Sequence, residues 1–297
     1  MRYTVPMINT QFGPLSLGAI YRPQRDVRSL PQGARIAEAG GLDDVWVFED
    51  CFLTGGFTSQ VAALSATERL RVGVGLIPVP LRNVAVTAME LNTIARLYGE
   101  RARITMGHGV QEWMGQAGVR PASPMTLMRE YLTALQALLS GENVTRDGEY
   151  VRLAEVQLAD VVTPKPKVLL GALKPKTLAL AGELADGVVL NEDFTPAHAR
   201  EAFEIARCAR TTDSSDFETV VYLRAYTGPN AAELLRAEEL ERATGAGVAG
   251  PAEAIAERVL ELAEAGAGTV VLLPPNVAPN GIEYFEFVAA EVVPLLA

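Results

Sequence analysis

"LRVGVGLIPVPLRNVAVTAMELNTIARLYGERARITMGHG" (residues 70–109) holds two β-rich runs with one long amphipathic run between them. Residues 70–77 are almost continuously apolar, as a strand covered on both faces requires. Residues 83–97 carry apolar side chains at helical spacing, and residues 103–107 are strand-like again. A strand, a helix and a second strand in this order make a parallel crossover unit.

The same alternation extends in both directions. Upstream lie a strand at 15–21, a helix at 29–40 with Ser29 as N-cap before Pro31, a strand at 44–48 and a helix at 58–66. Downstream come a helix at 125–140 and a small hairpin at 144–153 turning at Asp147-Gly148. Strands at 168–171, 187–191, 218–226 and 269–273 follow, interleaved with helices at 175–185, 196–210, 230–243, 251–265 and 282–293. Residues 245–251 read as a loop inside the seventh unit. Eight β-then-α units predict an α/β fold, a (β/α)8 TIM barrel in one domain over 1–297, with a hairpin insertion after the fourth helix. A doubly wound open sheet shares this pattern.

Bulk properties narrow the function. The chain has 297 residues and a formal charge of −10, which argues against a nucleic-acid partner. No apolar run approaches the roughly 20 residues that span a bilayer, and no signal peptide is read at the start. Two cysteines, Cys51 and Cys208, make neither a disulfide framework nor a metal cluster. The expectation is a soluble, cytoplasmic, metal-free protein acting on a small molecule. Its 26 basic residues include only four lysines, Lys165, Lys167, Lys174 and Lys176, all within twelve positions.

In a barrel the chemistry sits at the C-terminal ends of the strands. There, Gly171-Ala172-Leu173-Lys174 turns into a helix starting at Pro175. Free N–H groups at a helix start attract phosphate, and lysine beside them suits a bound anion; a solvated turn is the plain alternative. Lys165 and Lys167 precede their strand and belong to the opposite face. Gly75, late in its strand, marks either a close ligand approach or a packing glycine. Of the adjacent carboxylates Glu49 and Asp50, at most one needs to face the barrel mouth, as a general acid or base; a helix cap or a salt bridge is the commoner fate.

The runs "GLDDVWVFED" (41–50), residues 66–109, "LMREYLTALQALLSGENVTRDGEYVRL" (127–153) and "LLGALKPKTLALAGELADGVVLN" (169–191) occur in order at these strand ends. Together they resemble the luciferase-like monooxygenase superfamily, most of all its coenzyme F420-dependent, methylenetetrahydromethanopterin reductase-like branch. The resemblance implies a bacterial luciferase-like TIM barrel, a homodimer, and a non-prolyl cis peptide, here Gly75-Leu76. It implies a cofactor phosphate on Gly171, Ala172, Leu173 and Lys174, and a ring contacted by Gly75, Leu76, Gly107, His108 and Gly109. Many relatives have an acid followed by histidine where this chain has Glu49-Asp50. The sugar-phosphate dehydrogenase branch has glutamate where this chain has Val110, so that branch's acid–base pair is not carried over.

The resulting expectation is an F420-dependent oxidoreductase moving hydride between the deazaflavin C5 and a C=C, C=N or C=O group. Glu49 or Asp50 is the first choice for proton transfer and His108 the second. Val110 and Trp113 are expected to shape the substrate pocket, and His198 to be a surface residue. FMN-dependent monooxygenase chemistry is the alternative, followed by a flavin-binding homologue without turnover. A Schiff-base aldolase ranks last, since no lysine projects into the barrel from a strand.

Overall fold

The computed structural model describes residues 9–10, 13–211, 216–242, 244–276 and 281–297. Eight parallel strands form its centre: β1 (Ser16–Tyr21), β2 (Asp44–Val47), β3 (Arg71–Pro78), β4 (Ala102–Gly107), β5 (Val168–Gly171), β6 (Gly187–Leu190), β7 (Glu218–Tyr226) and β8 (Thr269–Leu273). Each pairs with the next, and β8 pairs with β1, so the sheet closes and the open-sheet alternative falls. Around it pack α1 (Leu30–Ala39), α2 (Gly56–Ser65), α3 (Val84–Tyr98), α4 (Gln111–Gln116), α5 (Pro124–Leu139), α6 (Pro175–Leu184), α7 (Pro196–Cys208), α8 (Ala231–Arg242), α9 (Ala252–Glu264) and α10 (Ile282–Phe287).

Alternate strand residues point inward. Ile20, Trp46, Leu169, Val189, Val220, Tyr222, Val271 and Leu273 form a cluster inside the barrel, separate from the larger core between sheet and helices. β3 supplies two inward glycines opposite the two largest members. A Cβ on Gly73 would collide with the Trp46 ring, and one on Gly75 with the Tyr222 hydroxyl. Gly75 is thus a packing glycine; it also begins the Gly75-Leu76 cis peptide.

The N-terminal end of the barrel is closed by ion pairs. Asp44 is completely buried; its carboxylate meets Arg71 at 2.6 Å and Arg103 at 3.3 Å. Arg103 also meets Glu218 at 2.6 Å, and Lys167 joins Glu218 at 3.2 Å. Lys165 bonds Gln136 and pairs with Asp186 on the same side. Both lysines therefore serve the face opposite the cavity described below.

Several local expectations change. Ser29 occupies the residue before α1 but does not cap it, because its hydroxyl is taken by the Asp26 carbonyl and the Tyr21 hydroxyl. The hairpin (Val144–Asp147 with Arg152–Val156) does not turn tightly at Asp147-Gly148. Glu130 of α5 accepts the N–H groups of Glu149, Tyr150 and Val151 and so holds a wider turn. Residues 111–116, between the expected strand at 103–107 and helix at 125–140, form the short α4. Within 245–251, Val248–Ala249 adds a short strand to β7. The last helix gives way after Phe287 to a wider turn (Val288–Val292) and a tighter one (Val293–Leu296), where Pro294 has no N–H to continue the ladder. Among the described residues no helix is long and apolar enough to cross a membrane.

Candidate active site

At the C-terminal ends of the strands the barrel opens into a cavity of about 560 Å3. Glu49, Asp50, Gly75, Leu76, His108 and Gly109 all line it, as do Val110, Trp113 and the whole Gly171–Lys174 turn. Gly107 does not. A Cβ there would overlap the Leu76 side chain, and one on Gly171 would come within 2.9 Å of it. These two glycines let Leu76 lie across the ends of β4 and β5, so Leu76, and not bare backbone, forms that wall.

The turn after β5 has the character of an anion site. Lys174 stands at the N-cap of α6 with no capping side chain and with Pro175 in the first turn. Thr177 and Leu178 donate to the Lys174 carbonyl, and Ala172 to Val189. The N–H groups of Leu173, Lys174 and Lys176 have no acceptor among the described residues. Free amides, the positive end of the helix dipole and an exposed ammonium converge on one rim of the cavity, a donor set that suits a phosphate.

The two adjacent carboxylates are not equivalent. Glu49 is committed: Gly56, at the start of α2, donates to Oε2 at 2.6 Å, and Arg82 after β3 engages both its oxygens. Asp50 is half-buried, and no described residue donates to its carboxylate. Burial pushes its pKa up, nearby Glu192 adds to the rise, and Arg22 opposes it. Both line the cavity, but of this pair only Asp50 has a carboxylate to which no described residue donates.

His108 follows β4 directly. Its Nδ1 is buried without a partner. Burial lowers its pKa, and a hydrogen bond to the Pro124 carbonyl works the other way, so the ring is biased toward neutral. Gly109 adopts a φ of +68°, a conformation that side chains rarely take, and a Cβ there would press on Met114 and Pro78. Val110 occupies the residue before α4 without capping it and is exposed at the cavity edge, while Trp113 is half-buried one turn later. His198 is exposed on α7, away from the cavity.

Among the other cavity residues, Arg22, Thr105, Glu192 and Tyr222 carry polar side chains that the reading of the sequence left without a role. Arg22 is anchored through Nε to the Pro274 carbonyl at 2.6 Å. Thr105 Oγ1 and Tyr222 Oη are buried and unpartnered. Tyr222 packs edge-on to Trp46 and tilted against Phe48, and burial holds its pKa well above the ordinary phenol range. Glu192 is held from behind by Arg224, itself 1% exposed on β7, which also grips Asp193 at 2.6 Å and reaches Glu238 of α8 at 3.7 Å. The available signal was the inward alternation of Val220, Tyr222 and Arg224, which puts two polar side chains on the inner face of an apolar strand.

The luciferase-like monooxygenase family model matches residues 8–239. The chain is 29% identical over 192 residues to 5,10-methylenetetrahydromethanopterin reductase of Methanolobus tindarius, covering 65% of this chain and 57% of that protein. It is 28% identical over 225 residues to the F420-dependent glucose-6-phosphate dehydrogenase of Beutenbergia cavernae, covering 68% and 65%. The chain thus spans about three fifths of the length of these relatives. An F420-dependent secondary alcohol dehydrogenase, solved with an F420–acetone adduct, shares the fold with a TM-score of 0.82 at 18% identity, over 95% of this chain and 99% of that one. With more than half its length matched by the family model, and with the closed barrel and strand-end cavity described above, the chain belongs to the luciferase-like monooxygenase family.

Proposed function

We propose that this chain is a coenzyme F420-dependent oxidoreductase that reduces a C=C, C=N or C=O group of a small organic molecule. One observation carries the reading. A single cavity holds free helix-start amides beside Lys174 on one rim and an unpaired, half-buried Asp50 on another wall. Two of the similar proteins named above are F420-dependent by name, which supports the choice of cofactor.

In this reading the Gly171–Lys174 turn holds the cofactor phosphate, and Leu76 and Pro78 give its ring an apolar wall. The cofactor, when bound, supplies the hydride from C5. The remaining chemistry belongs to the chain. Asp50, whose pKa burial raises, delivers a proton to the atom next to the carbon receiving hydride, so hydride and proton together complete a two-electron reduction. Arg22 moderates the Asp50 carboxyl, and neutral His108 presents Nδ1 to the ring or the substrate as a hydrogen-bond partner. Val110 and Trp113 bound the space left for the substrate.

Fluorescence titration of the purified protein with F420 and with FMN tests the cofactor. The expected result is saturable F420 binding; tight FMN binding with none of F420 sinks the reading. A panel of enones, imines and ketones with reduced F420 tests the reaction. Asp50→Asn is expected to lose turnover, whereas Glu49→Gln is expected to lose stability first, since it weakens the group that holds Arg82 and the start of α2. Equal turnover in wild type and Asp50→Asn moves the proton source elsewhere.

A further inference from the structure

Two buried hydroxyls at the bottom of the cavity have no role in the mechanism above. The Tyr222 side chain reaches from β7 across the barrel, so that its Oη lies against Gly75 of β3. Thr105 of β4 is the register partner of Gly75. Thr105 is fully buried and Tyr222 is 6% exposed. Both line the cavity, and neither Oγ1 nor Oη has a hydrogen-bond partner. A buried hydroxyl without a partner is costly, and native structures rarely leave one so. Here there are two, one against Gly75 and one on its register partner, and both line an open cavity. The glycine at 75 is what admits the tyrosine hydroxyl, so the fold makes room for this group.

We propose that Tyr222 and Thr105 form the floor of the cofactor's ring site and receive the pyrimidinedione edge of the deazaflavin, with Tyr222 donating to a ring carbonyl. The inference rests on the F420 reading and deepens it. The cavity sorts its polar groups by depth and charge. Asp50, Arg22 and Lys174 are ionisable groups with access to solvent, whereas the floor offers only neutral hydroxyls. A neutral, hydrogen-bonding edge can be buried there at small cost, and a charged group cannot. The pyrimidinedione edge presents two carbonyls flanking one N–H. A phenol hydroxyl gives one donor, and a threonine hydroxyl either donates or accepts, so the two sets of partners match. The same contact would orient the ring, placing its polar edge downward and leaving the phosphate-bearing chain to reach the Gly171–Lys174 turn at the rim.

The test uses Tyr222→Phe and Thr105→Val, which remove the hydroxyls with little change in shape, alongside Lys174→Ala. Each protein is titrated with F420 and the absorption spectrum of the bound cofactor recorded. Tyr222→Phe is expected to bind F420 about tenfold more weakly and to displace the bound absorption band. Thr105→Val is expected to do the same to a smaller extent. Lys174→Ala is expected to weaken binding with the band unmoved, because it touches the phosphate and not the ring. The melting temperature of cofactor-free Tyr222→Phe should equal or exceed that of wild type, since it removes an unsatisfied group. If Tyr222→Phe does not fold, Thr105→Val carries the test alone. Wild-type affinity and an unmoved band in the folded floor variants overturn the inference and leave the F420 reading standing. A wild-type protein that binds no F420 overturns both.

Discussion

The two ends of this barrel treat polar groups in opposite ways. At the N-terminal end, Asp44, Arg71, Arg103, Glu218 and Lys167 are joined in one chain of ion pairs. At the C-terminal end Glu49 with Arg82, and Glu192 and Asp193 with Arg224, are also paired, but beside them Tyr222 Oη, Thr105 Oγ1 and His108 Nδ1 are buried with no partner, and Asp50 is held by no donor among the described residues. Both ends draw on inward positions of the strands or on the residues just beyond them. The difference is whether the partner belongs to the chain. Satisfied charges at one end lock the strands in register; unsatisfied groups at the other wait for something that is not protein. Barrels of this class divide stability and chemistry between their faces in the same way.

That division can be attacked from either end. The largest effect is expected at the closed end. Asp44→Ala leaves Arg71 without its ion-pair partner and Arg103 with Glu218 alone, and should lower folding stability by about 3–5 kcal/mol in urea titrations, with F420 affinity within about twofold of wild type. Next is Asp50→Asn, expected to cut turnover about a hundredfold on any substrate found in the panel, with cofactor affinity preserved. A third, smaller effect is expected for Lys174→Ala: about three- to tenfold weaker F420 binding, a gap that narrows as salt is raised.

The smallest effect concerns Asp50 and pH. Its folded-state pKa is raised by burial, so the stability it contributes is fully present below the ordinary aspartate range. That contribution is lost as pH rises through the raised value. Asp50→Asn should therefore melt about 1–2 °C higher than wild type at neutral pH, and this advantage should vanish in acid. A variant that loses turnover and gains stability would mark Asp50 as a group kept for chemistry. An Asp50→Asn protein that melts lower at neutral pH would count against that view.

The barrel was legible because its strands are uniformly apolar and its helices amphipathic, so all eight units announce themselves by period. Residues 111–116 did not, since six residues complete fewer than two helical turns. The phosphate-suited turn was legible because everything it needs is contiguous: a strand end, a glycine, a lysine and a proline-started helix. The choice between Glu49 and Asp50 was not, because it is made by Arg82, 33 residues further on. The cavity floor was hidden for the same reason. Gly75 was conspicuous from the start, but its counterpart Tyr222 lies on a strand at the far side of the barrel, and only closure of the sheet brings them together.

Arg224 has a consequence for how this site can change. One buried guanidinium serves Glu192 and Asp193 in the loop after β6 and Glu238 on α8 after β7. Replacing an acid in one loop raises the burden on the acids of the other, so substitutions at 192 and 238 are expected to be epistatic in a double-mutant cycle. Two loops far apart in the chain would then be inherited as a single cassette, and a new substrate preference on this side of the mouth would have to be acquired by both together.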